Sequence, residues 1–109
     1  MVIAEAGVNH NGDPDVARQL IEVAADARAD LVKFQTFTAD RVVTSQARKA
    51  DYQIRTTGAT ESQHEMLRSL ELTATTHRDL VAHCRTCGIG FLSTPFDLES
   101  IDLLVDLEL

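Results

Sequence analysis

The chain has no tryptophan, one tyrosine and four phenylalanines, and its ten Lys and Arg are outnumbered by seventeen Asp and Glu. A net charge of −7 with no basic run excludes a phosphate-neutralising nucleic-acid surface. No aromatic-interleaved basic patch and no disorder-like stretch is present. Long apolar runs are also missing. The longest falls far short of the ~20 residues a membrane-crossing helix needs, and Met1 opens directly into a strand pattern rather than a signal peptide. The chain is therefore expected to be cytoplasmic, with no membrane partner. Cysteine is limited to Cys84 and Cys87. A redox pair works best at a helix N-terminus, where the dipole favours thiolate. This C-x-x-C closes a helical pattern instead, and only His77 and His83 lie near enough in sequence to complete a zinc site. Buried, reduced thiols are the expectation.

What is present is a repeated strand–loop–helix order. Val2–Glu5 reads as a first strand and Ala6–Gly12 as its polar loop. Asp13-Pro14 is a helix start, a capping acid followed by proline at the first helical position. Val16, Leu20, Val23, Ala24 and Ala27 recur on one helical face. Leu31–Gln35 reads as the second strand. The stretch from Phe37 to Ala59 is irregular and long, as functional loops often are. Thr60-x-x-Gln63 reads as a capping box opening a helix through Leu70. A further helix spans about Thr76–Thr86 and ends at Gly88. Ile89–Thr94 is the third strand, and Asp97 caps a last helix containing Ile101, Leu104, Val105 and Leu107. This order implies parallel strands joined by crossovers. Three such units are fewer than an open doubly wound sheet or a closed eight-stranded barrel requires. The chain reads as the first part of a larger α/β protein, with one sheet face and a strand edge left bare.

Each strand ends in polar residues, and in parallel α/β proteins chemistry gathers at that rim. Period two puts Leu31, Lys33 and Gln35 on one face and Val32 and Phe34 on the other. A lysine within an apolar run is costly unless it meets an anion, although a strand-end lysine also reaches water easily. Glu5 could serve as a general acid or base, as a hydroxyl ligand, or as the partner of Lys33 on the next strand. Asn9 and His10 sit in a loop whose amides suit a polyol, although a lone histidine there is more often structural than a ligand. Ser93, Thr94 and Phe96 lead into a helix start, where hydroxyls and free N–H groups suit phosphate; Asp97 is the cap there. Taken together, the rim suits a small anionic, phosphorylated ligand beside a hydroxylated one. The residues alone do not settle the chemistry.

Three segments, Ile3-Ala-Glu-Ala-Gly-Val-Asn-His-Asn-Gly12, Val32-Lys-Phe-Gln-Thr36 and Phe91-Leu-Ser-Thr-Pro-Phe-Asp97, together resemble the N-acetylneuraminate (sialic acid) synthases. The legionaminic and pseudaminic acid synthases belong to the same family. Tyr52-Gln53 and Glu61-Ser-Gln-His-Glu-Met-Leu67 look like that family's second-loop region, so the likeness runs along the whole chain. It implies the first three β/α units of a (β/α)₈ TIM-type barrel, here incomplete, followed in the family by a C-terminal antifreeze-like domain and a homodimer. It implies a transferase reaction in which phosphoenolpyruvate condenses with the open-chain aldehyde of an N-acetylated hexosamine. A divalent metal, Mn²⁺ or Mg²⁺, polarises the aldehyde, with its ligands outside this chain. By resemblance Lys33 and Gln35 hold phosphoenolpyruvate, Thr94 its phosphate, and Glu5 is the catalytic acid or base against the sugar. Ser93, Asn9, His10 and Phe96 join the substrate-binding set. Arg28 and Glu108 stand where the family favours glycine after a helix, and Thr76 replaces the acidic member of a capping box begun at Thr73. Two alternatives stay open: another phosphoenolpyruvate- or sugar-phosphate-using barrel aldolase, with Lys33 as a Schiff-base candidate, and a non-catalytic truncated product.

Overall fold

A computed structural model of the chain describes residues 1–41 and 59–107, the side chains of residues 59–63 excepted. The expected capping side chains of Thr60 and Gln63, the Tyr52-Gln53 segment and Glu108 lie outside that description. Three strands, β1 (Ile3–Gly7), β2 (Leu31–Thr36) and β3 (Gly90–Pro95), form one parallel sheet in the order β1-β2-β3. Among the described residues four helices connect and follow them: α1 (Pro14–Asp26), α2 (Ala59–Leu70), α3 (Ala74–Cys87) and α4 (Leu98–Asp106). Among the described residues no helix is long and apolar enough to cross a membrane.

The strand alternation expected from period two is what folds. Val32, Phe34 and Thr36 are buried beneath α1 and α3, whereas Leu31, Lys33 and Gln35 are only partly covered. The core is a single cluster in which Val32, Phe34 and Ile89 meet Ala17, Ile21 and Ala24 of α1 and Leu80 and Cys84 of α3. Phe34 stacks on Phe91 of the neighbouring strand, with ring centroids 5.5 Å apart. Among the described residues no helix covers the opposite face, where Ile3 and Leu92 stay substantially exposed.

Several element limits differ from expectation. The buried stripe of α1 is Ala17, Ile21 and Ala24, so the predicted stripe is rotated by about one residue. Val23 is 64% exposed. Two alanines at the contact let the helix lie close to the sheet, which the larger Val16 and Val23 would prevent. Helix α2 runs from Ala59, one residue before the expected start at Thr60. Helix α3 begins two residues before the expected Thr76, because Thr73 is the N-cap and its hydroxyl accepts the Thr76 N–H at 3.1 Å. Its C-terminus is Gly88, with φ of 75°, as expected. On α4, Ser100 and Leu104 are buried, while Ile101 and Val105 are exposed.

The β1–α1 loop is a run of tight turns, with Asn9 N–H donating to Ala6 O, Asn11 to Val8 O and Asp13 to His10 O. Gly12 is required here for two reasons. Its φ is 77°, and a Cβ would lie 1.8 Å from the Ser69 carbonyl oxygen near the end of α2. This close approach docks the loop onto α2.

Candidate functional site

The open face of the sheet collects four polar side chains at its C-terminal rim. The strand register pairs Glu5 with Lys33 and Gln35 with Thr94, so all four share one face by alternation. Lys33 Nζ lies 3.4 Å from Glu5 Oε2. A bulge between Glu5 and Gly7 then turns β1 inward. At Gly7 a Cβ would sit 3.4 Å from Glu5 Oε1 and 3.6 Å from Gln35 Nε2. The carboxylate, the ammonium and the amide therefore converge on one small region, with Thr94 the register partner of Gln35 on the next strand.

Other expected members are placed elsewhere. Asn9 is exposed at the loop tip and Phe96 is 53% exposed past the end of β3. Ser93 is not on the rim face: it is buried on the helix side, one residue out of phase with Thr94. His10 is not a polyol-facing group either. Its ring is fully buried, 6.1 Å from Phe34, and Nδ1 accepts the Gly12 N–H at 2.8 Å. Burial, and then the nearby His77, lower its pKa. Two of the N–H groups expected to be free after β3, those of Phe96 and Ser100, are already bonded. Phe96 N–H donates to Thr36 O, and the Asp97 carboxylate accepts from both Thr38 N–H and Ser100 N–H at 2.7 Å. Asp97 is thus a cap, as read.

Behind the rim runs a buried polar chain that sequence reasoning missed. Ser93 Oγ lies 2.6 Å from Thr36 Oγ1, which lies 2.9 Å from His77 Nε2, and His77 Nδ1 is 2.8 Å from the Thr73 carbonyl. Thr36 falls in phase with Val32 and Phe34, and a hydroxyl in that phase was the available signal. Burial lowers the His77 pKa, while the bond to Thr73 opposes the shift.

The described residues do not by themselves make a metal centre. No group of three or more His, Cys, Asp and Glu converges among them. Glu5 is the rim's lone acid in the set above, and His10 and His77 face the helices. The thiols are free as expected, with Cys84 buried and Cys87 half-buried. Burial, and then Cys87, push the Cys84 thiol up to about 12, which makes it inert near neutrality. A cavity of about 260 Å³ on the helix side, lined in part by Glu71 and Glu99, has the wrong charge for an anion.

Residues 20–109 match the NeuB family model. The chain belongs to the NeuB family. Over its full length it is 55% identical to the N,N'-diacetyllegionaminic acid synthase of Campylobacter jejuni, covering 33% of that protein. Over 97% of its length it is 47% identical to the Legionella pneumophila enzyme of the same name, covering 30% of it. Its structure is similar to the N-acetylneuraminic acid synthetase of Leptospira borgpetersenii, solved with citrate, at a TM-score of 0.75 and 28% identity. That likeness covers 96% of this chain and 32% of the other. This member of the NeuB family thus spans about a third of the relatives it matches, and they are synthases.

Proposed function

We propose that this chain forms the first three β/α units of a (β/α)₈ barrel. We further propose that the protein carrying it condenses phosphoenolpyruvate with an N-acetylated hexosamine aldehyde to give a nonulosonic acid and phosphate. The observation that carries this reading is the set of Lys33, Gln35, Thr94 and Glu5 on the open sheet face, the face that looks inward when such a sheet closes. The family membership supports it.

In this reading the Lys33 ammonium and the Gln35 amide hold the carboxylate of phosphoenolpyruvate, and Thr94 donates to its phosphate. The methylene carbon of phosphoenolpyruvate attacks the aldehyde carbon, and the aldehyde oxygen, now an alkoxide, takes a proton. Water adds to the cationic carbon left behind, and phosphate departs by C–O cleavage. Glu5, exposed and adjacent to Lys33, is the group placed to move a proton on the sugar side. The described residues do not complete a divalent-metal site, so Mn²⁺ or Mg²⁺ would be held by residues elsewhere in the protein. The antifreeze-like domain and the homodimer belong to the same proposal.

Phosphoenolpyruvate contributes three carbons and no nitrogen, so both N-acetyl groups of a diacetyl product must arrive on the acceptor. The likeness to diacetyllegionaminic acid synthases therefore favours a di-N-acetylated hexosamine. The test is phosphate release by the protein extended to the length of its relatives, with phosphoenolpyruvate, Mn²⁺ and a panel of N-acetylated sugars. Sugar-dependent release is expected, greatest with a di-N-acetylated acceptor, and lost in Lys33→Ala. No release with any sugar, from folded and metal-loaded protein, would overturn the reading.

A further inference from the structure

We propose that His77 is a positioning residue for the anion-binding end of this site. It holds Thr36 and Ser93 so that their neighbours Gln35 and Thr94, on the opposite face, keep a single spacing. This rests on the functional reading above.

The hydrogen bonds behind the rim have one consistent direction. The Thr73 carbonyl can only accept, so His77 Nδ1 carries the ring proton. Nε2 then presents a lone pair and accepts the Thr36 hydroxyl, whose oxygen in turn accepts the Ser93 hydroxyl. Every link is buried or nearly so, and a satisfied chain of this kind resists distortion because breaking one link strands a buried polar group. The neutral ring that this requires agrees with the direction in which burial moves His77. His10, on the β1–α1 loop, is the titratable group that His77 itself acts on, lowering its pKa after burial.

The placement gives the chain its purpose. Strand β2 ends at Thr36 and β3 at Pro95, so the ladder runs out where the ligand-facing side chains stand. The link from Thr36 to Ser93 crosses between the two strand tips, and the link to His77 ties both to the first turn of α3. The His77 ring is seated edge-on to Phe91, 6.5 Å away. Gln35 and Thr94 are register partners, and each is the immediate chain neighbour of one tied hydroxyl residue. Peptide planes are rigid, so fixing Thr36 and Ser93 fixes the direction in which Gln35 and Thr94 leave the strands.

The test uses the protein extended to the length of its relatives and measures phosphoenolpyruvate binding, KM and kcat alongside the melting midpoint. His77→Leu is expected to raise the Kd and KM for phosphoenolpyruvate roughly tenfold, with kcat moving less. His77→Gln, which can still accept from Thr36, should recover part of that loss. Leu80→Ala, on the same helix and equally buried, should lower the melting midpoint without raising KM. Should His77→Leu fail to fold, Ser93→Ala removes the far hydroxyl at almost no change in volume and should raise KM in the same direction. An unchanged KM in His77→Leu or in a folded Ser93→Ala, or an equal rise in Leu80→Ala, would overturn the positioning role. A wild type that binds no phosphoenolpyruvate would instead overturn the functional reading, and this proposal with it.

Discussion

Arg28 has φ of 64°, a left-handed backbone that costs a non-glycine residue on the order of 1 kcal/mol. Its N–H donates to Ala25 O as the chain leaves α1, so the strain belongs to the helix stop. Arg28→Gly is therefore expected to stabilise the fold by up to about 0.5 kcal/mol, the strain relieved less the added freedom of the unfolded chain, and so to raise the denaturation midpoint. A midpoint unchanged or lowered would count against it. The buried histidines make a second prediction. Both His10 and His77 have pKa values below the ordinary 6.5, so the unfolded chain takes up protons at higher pH than the folded one. Stability from these sites is complete above about pH 6.5 and declines as pH falls from there toward the lower folded values. Urea midpoints at pH 7.5 and 5.5 should show the loss, and it should be smaller in His77→Leu relative to that variant's own value at pH 7.5. The placement of Lys33 and Gln35 was legible because period two in a strand is strict. Ser93 was misplaced by reading Ser93-Thr94 as one hydroxyl pair, although adjacent strand residues must face opposite ways. His10 takes the structural role that is commoner for a lone loop histidine, its ring turned inward toward Phe34, and not the substrate-binding one also expected of it.

At the scale of elements, the three strands and the helices between them were readable from apolar spacing and caps. Their limits and faces were less so. Two alanines decide which side of α1 is buried, and a hydropathy stripe weights Val23 above Ala17. Helix α3 starts early because Thr73, not a later residue, meets the first free N–H groups. The cap of α4 carries more than its own helix. One Asp97 oxygen holds Ser100 N–H and the other holds Thr38 N–H, joining the start of α4 to the segment after β2. Asp97→Ala is thus expected to cost about 2–3 kcal/mol, an ordinary cap plus a second backbone partner left unpaired. A loss under about 1 kcal/mol in chemical denaturation would mean that water replaces the second bond.

On the scale of the whole molecule, the two sheet faces are unlike. One is sealed by α1 and α3 around Phe34. The other carries the charged rim together with exposed Ile3 and Leu92, while Leu98, Ile101 and Val105 line an exposed stripe on α4. Apolar surface of this extent favours association, and β1 and β3 are bonded on one side only among the described residues. The 109-residue chain taken alone is therefore expected to self-associate with rising concentration. It should also release no phosphate from phosphoenolpyruvate with any N-acetylated sugar. The described residues gather the anion-holding groups and one acid, but not a set of metal ligands. Sedimentation across a concentration series, paired with the phosphate assay, checks both. A stable monomer with a sharp urea transition would show that the open face tolerates water. Sugar-dependent phosphate release by this chain would show that Glu5, Lys33, Gln35 and Thr94 need no further residues to turn over.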